Sequence, residues 1–171
     1  GPNLENGYEG RIHGVRRIDI GSAIVDNGPN AVSLTTDGTV YLFGSNTYSG
    51  DTYINSGRLE GWGTNRLPIS TVVTVADAAE LRLFGGNQQI AGLQGSGIVG
   101  NQNTGANART LTISNENDYA FSGRMQDGST AVLNLIKQGD GIQTLSGTNT
   151  LSGFTWIQDG TLFLPHALRS E

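Results

Sequence analysis

Hydrophobic and polar residues alternate along this chain in short bursts separated by glycine. The run V-Y-L-F (40–43) sets Val40 and Leu42 against Tyr41 and Phe43. The run D-T-Y-I-N (51–55) sets Thr52 and Ile54 against Asp51, Tyr53 and Asn55, and the runs at 70–75, 109–114, 119–123 and 131–137 repeat the pattern. A period of two is that of a strand with one face buried. Gly44 ends the first run; Asn46 and Ser49 can hydrogen-bond their own backbone and Gly50 can take positive φ, so 44–50 is read as a turn. No window of eleven residues holds a helical apolar period, and the best helix candidate, 75–83, is short. The chain is predicted to be all-β.

One stretch returns. Residues 40–59 align without a gap on residues 143–162, and from Leu42 onward ten of eighteen positions are identical. The identities are Leu42/Leu145, Gly44/Gly147, Asn46/Asn149, Thr47/Thr150, Ser49/Ser152, Gly50/Gly153, Thr52/Thr155, Ile54/Ile157, Gly57/Gly160 and Leu59/Leu162. A strand of four or five residues with so narrow an aliphatic face cannot by itself outweigh the cost of ordering its backbone. Stacked units can, because each covers the next, so the repeat predicts a solenoid. At roughly 20–25 residues per coil the ordered part makes roughly six or seven coils. Asn46 and Asn149 are read as turn residues whose amides bond local backbone or stack on asparagines of adjacent coils.

Taken in order, 1–30 reads as a tag remnant, from its opening Gly-Pro, followed by an N-terminal edge or poorly ordered segment; 31–171 is the repeat domain. The stretch 61–68, with Trp62 and Pro68, reads as a loop leaving the coil. Leu81, Leu83, Ile90, Leu93 and Val99 are expected inward, and Pro165 should stop pairing.

Composition narrows the function. Gly, Thr, Asn and Ser make up about two-fifths of the 171 residues, the chemistry of many corners. The net charge is −5 and the single lysine is Lys137. A nucleic-acid or anionic-membrane surface needs clustered cations, so neither partner is expected. The basic residues Arg11, His13, Arg16 and Arg17 are read as a solvated stretch. Cysteine is absent, which removes disulfides and thiol chemistry, and no run of about 18 apolar residues occurs.

Candidate chemistry is sparse. Tyr53 and Trp156 fall at the same outward repeat position, as do Asp51 and Phe154; with Tyr48 these aromatics are candidate ligand contacts, a platform for sugar rings, against the alternative that they pack over neighbouring turns. Asn115, Glu116, Asn117 and Asp118 bear oxygen ligands of the kind Ca²⁺ takes, but lack the spacing of a calcium loop and are read as a turn. Asp51 and Asn55 give way to Phe154 and Gln158 in the second copy, so no carboxylate pair forms, and Asp37 and Asp140 precede glycine in turns. No nucleophile, zinc or phosphate-loop motif appears, and His13 and His166 lie at opposite ends. Catalytic, metal and cofactor-binding residues are therefore not expected.

The run Lys137, Gly139, Gly141, Gln143 to Gly147, Asn149, Thr150, Gly153, Thr155, Ile157, Gly160, Leu162 resembles the passenger-associated transport repeat, also called the autotransporter-associated β-strand repeat. The pattern there is K-x-G-x-G-x-Q-T-L-S-G-x-N-T-Y-x-G-x-T-x-I-x-x-G-x-L. Asn87 to Gly97 resembles its next part. The likeness covers about 37–164, departs at Leu151 where tyrosine is usual, and leaves 1–30 unplaced. It implies a right-handed parallel β-helix, an extracellular or cell-surface location, an outer-membrane translocator in a longer parent chain, and a non-catalytic stalk that assists export and folding. The alternatives are an adhesin or glycan-binding module that meets surface glycans or surface proteins through outward aromatics, and a non-catalytic part of a polysaccharide-degrading β-helix enzyme.

Overall fold

The computed structural model describes residues 10–102 and 105–165, with side chains from Arg17 onward. All fifteen strands among them pair in parallel: β1 (Gly10–Ile20), β2 (Leu34–Leu42), β3 (Thr52–Gly61), β4 (Val72–Val75), β5 (Glu80–Leu83), β6 (Gln88–Ile90), β7 (Gly92–Gly95), β8 (Ile98–Gly100), β9 (Arg109–Ser114), β10 (Tyr119–Phe121), β11 (Arg124–Gln126), β12 (Leu133–Gln138), β13 (Ile142–Leu145), β14 (Thr155–Ile157) and β15 (Thr161–Phe163). No helix occurs among the described residues. The strands stack as a β-solenoid of about seven turns.

Three walls can be followed through the register. The first runs through Ile54, Val75, Gly95, Phe121 and Leu145. The second runs through Ile18, Val40, Leu59, Leu81, Val99 and Met125. The third runs through Ile90, Ile113, Lys137 and Ile157. Each column is a line of inward side chains, and from Val40 to Leu145 its members other than Gly95 are buried. Burial of this kind is worth about 25 cal/mol per Å² of apolar surface, and it accrues only between coils. Phe121, the largest aliphatic or aromatic member of its column, stands beside Gly95, which has no side chain. β2 and β3 are long enough to bend through Gly38 and Gly57 and serve both the first and second walls. That joins the two walls into an eleven-stranded sheet, while the third wall is a separate four-stranded sheet of β6, β9, β12 and β14.

The two copies of the repeat each fill one complete turn, since Val40 pairs with Leu59 and Gln143 with Leu162. They begin on different walls: Val40 on the second, Gln143 on the first. Tyr53 therefore lies on the first wall and Trp156 on the third, and the expectation that their shared repeat position puts them on one face is corrected. The stretch 61–68 does not leave the coil: Trp62 N–H donates to Leu42 O at 2.9 Å, and Leu67 and Pro68 are buried in the wall. Its turn-like composition arises because a corner, not an exit, lies there. The segment before residue 30 supplies β1, laddered along the whole of β2. Residues 1–9 and His166 lie outside the described residues.

Candidate functional site

Tyr48 is not a surface contact. It is fully buried, its hydroxyl 2.6 Å from Thr52 Oγ1, which is itself 2.9 Å from Thr71 Oγ1. Burial pushes its ionisation up, and the threonine hydrogen bonds only partly oppose this. The remaining aromatic candidates are exposed. Tyr53 donates to Asp51 Oδ2 at 3.3 Å, while Phe154 and Trp156 are 53% and 55% exposed with no ring partner among the described residues.

A different aromatic cluster was missed. Phe43, Trp62 and Phe84 follow the inward residues of three successive coils, and their rings stack along the axis with centroids 5.3 Å and 4.4 Å apart. Their faces are spent on one another, so this ladder holds coils together and offers little open ring face to a sugar. Beside it, Trp62 Nε1 donates to Glu60 Oε2 at 3.2 Å, and buried Glu60 is paired with Arg58 at 3.1 Å and Arg82 at 3.5 Å. Arg17 lies 4.2 Å over the Tyr41 ring. A carboxylate so enclosed is balanced by its partners, and removing one partner would cost more than the pair itself contributes.

The repeated polar residues fasten coil to coil. Asn46 Oδ1 accepts from Ile24 N–H of the preceding coil at 2.7 Å, and its Nδ2 donates to Gly44 O and, at 2.6 Å, to Arg66 O of the following coil. Asn149 Oδ1 likewise accepts from Met125 N–H at 2.9 Å, and Nδ2 donates to Gly147 O. The asparagine amides bond backbone, but only the bonds to Gly44 O and Gly147 O are local; those with Ile24, Arg66 and Met125 cross to adjacent coils. Asp26 and Asp127 form a second matched pair. Asp26 accepts from Val32 and Ser49 N–H, Asp127 from Leu133 and Ser152 N–H, all between 2.7 and 2.9 Å. The bonds from Ser49 and Val32 hold the Asp26 carboxyl below its ordinary value; at Asp127 burial raises it and the same kind of bonds outweigh that. The signal was present, since each aspartate precedes its serine by a little over twenty residues, about one coil.

Glycine recurs for a reason of space. A Cβ on Gly44, Gly50, Gly147 or Gly153 would strike backbone or side-chain atoms of the coil before it. Gly57 and Gly160 have φ of 70° and 64° and also abut the preceding coil, so both conformation and contact exclude a side chain. Lys137 is buried in the third wall, with Nζ 2.6 Å from both Gln138 O and Gly139 O. Burial pushes its pKa down, against the attraction of Asp159, Glu116 and Asp140. Gln143 reaches past β10 to bond both Leu93 N–H and Leu93 O, since β10 meets β7 only at Phe121.

At the calcium-like stretch, Asp118 accepts from Ile142 N–H of the following coil at 2.8 Å, a coil-to-coil fastening, while Asn115 Nδ2 donates to Asn117 O within the turn at 2.6 Å. No cluster of three acidic, histidine or cysteine side chains suited to a metal occurs among the described residues.

The last described coil differs from the others. Ile157 is 49% exposed although it occupies an inward position over Lys137, and Leu162 is only partly buried. Above them opens a mouth of about 530 Å³, lined by Leu135, Leu145, Leu151, Leu162 and Leu164.

The family model of the passenger-associated-transport-repeat matches residues 37–60 and 135–162. These ranges contain both asparagine clasps and all the glycines of the two copies. The adhesin BmaC autotransporter of Brucella suis biovar 1 (strain 1330) is 35% identical over 139 residues, 79% of this chain. The chain spans 4% of the length of that relative. No solved structure matches the chain. With the repeat present twice in one stack of coils, the chain is a passenger-associated transport repeat protein.

Proposed function

We propose that this chain is a non-catalytic stalk and scaffold segment of a large secreted or surface-anchored bacterial protein, and that its stacking assists export and folding of the passenger. The observation that carries this reading is the unbroken inward column from Ile18 to Met125, in which every coil buries aliphatic surface left by the one before. A chain that gains such contacts only after emerging on the outer side is biased against sliding back. The translocator would be an outer-membrane part of the parent chain. Replacing Ile54 and Leu59 with aspartate in a parent passenger should abolish surface display; undiminished display would refute the export role.

A second reading, an adhesin or glycan-binding module, draws support from the relative named an adhesin and from Phe154 and Trp156, whose rings are exposed and unstacked. Tyr53 would contribute separately, from another wall. Glycan-array binding that Trp156→Ala abolishes supports this reading; an array signal unchanged by that variant sinks it.

A further inference from the structure

At the corner where the third wall turns into the first, backbone oxygens of successive coils converge on one amine. Lys137 is fully buried there, its Nζ 2.6 Å from Gln138 O, 2.6 Å from Gly139 O and 3.4 Å from Asp159 O of the following coil. Asn115 brings the corner of the preceding coil against them: its N–H donates to Gln138 O, and its carbonyl accepts from Gly141 N–H. Asn115 is itself fully buried, and its Oδ1 has no hydrogen-bond partner among the described residues. On the other side Gly160 leaves room for the amine; a Cβ there would strike Gly139 O and stand 2.8 Å from Nζ. We infer that this corner is a binding site for a primary ammonium group, one that the chain fills with its own lysine.

The chemistry of the corner selects that ligand. An ammonium has three donors and no acceptor, and the three atoms that meet Nζ are all carbonyl oxygens. Hydrogen bonds from a charged donor are short, as both contacts at 2.6 Å are. Burial works against the charge, and the exposed carboxylates of Glu116, Asp140 and Asp159 attract it from the surface. The first copy of the repeat shows the converse. At the same offset Lys137 falls on Leu34 and Gly141 on Gly38. Leu34 lies in β2, which runs on through Gly38 as one strand laddered to β1 and β3. Where the backbone stays laddered no carbonyls gather to be satisfied, and a buried aliphatic side chain stands in place of the cation.

The test is chemical rescue. Lys137→Ala removes the side chain beyond Cβ, and the group deleted corresponds to n-propylammonium. This variant should melt several degrees below the unaltered chain. n-Propylammonium chloride should restore most of that loss, saturably, with no comparable gain for the unaltered chain. Tetramethylammonium chloride at the same concentration, equal in charge but without an N–H, should not restore it. Lys137→Met, which refills the apolar volume without the charge, should stay destabilised in both salts. Because Lys137 is the single lysine, ¹⁵N-lysine labelling of the unaltered chain gives one Nζ signal, whose ammonium protons should exchange slowly with water near neutral pH. An Nζ signal averaged by rapid exchange, Lys137→Met as stable as the unaltered chain, or propylammonium acting no better than tetramethylammonium would overturn the proposal. The Nζ signal needs no variant, so it decides even where a substituted chain fails to fold. The ammonium site rests on neither export nor adhesion and stands or falls apart from both.

Discussion

Two stretches with the same residues, 42–59 and 145–162, have opposite fates. Ile54 is fully buried and Ile157 is half exposed; Leu59 is sealed and Leu162 is not. Among the described residues, Asn46 ties three coils together and Asn149 ties two. Yet Gly44 and Gly147 both press on the backbone of the coil before them. The contacts that differ are those toward the following coil, and the contacts that agree are those toward the preceding one. Burial in a solenoid is therefore a property of place in the stack more than of the residue.

That contrast can be broken by measurement. The largest effect should come from the isoleucines: Ile54→Ala should cost about 2–5 kcal/mol in urea denaturation, and Ile157→Ala about 1 kcal/mol or less. Equal losses would mean the terminal coil is covered in solution. Next, Gly44→Ala and Gly147→Ala should each cost about 1–3 kcal/mol, and alike, since both crowd a coil that is present. A marked difference between them would refute the direction-based account. Asn46→Ala should then cost about 1–3 kcal/mol, and Asn149→Ala less, as among the described residues it leaves one fewer partner unpaired.

The smallest effect should come from acid. Asp26 and Asp127 have folded values below the ordinary 3.8, so their stabilisation is complete above that pH and disappears as pH falls through the lower folded value. Asp26→Asn and Asp127→Asn should melt earlier than the unaltered chain at neutral pH, and the curves should converge well below pH 3.8. A gap that persists in acid would mean the carboxylate charge is not what matters.

Much of the architecture was legible because the period of two and the glycine spacing are local signals. Val40, Leu42, Ile54, Leu81, Ile90, Leu93 and Val99 all point inward as their alternation requires. The phase between the two copies was not legible. It depends on how many residues each intervening coil uses, and these vary: Leu34 stands under Thr52, eighteen residues on, while Gly95 stands under Phe121, twenty-six on. Nor was the Phe43, Trp62, Phe84 ladder, because G-W-G-T-N-R-L-P has the composition of a loop and only the stacking of Trp62 between two phenylalanines reveals it as wall. Tyr48 misled for a related reason. A turn rich in serine and glycine suggests solvent, whereas this corner folds its ring inside and satisfies the hydroxyl with two threonines.

The offset of one wall between the copies has a broader meaning. A cassette closes a full circuit whichever wall it starts from, and coils of eighteen or of twenty-six residues both return to register. The wall on which a cassette begins thus sets the compass bearing of its decorated side chains, and a lineage of such rods could re-aim its outward groups without redesigning a core.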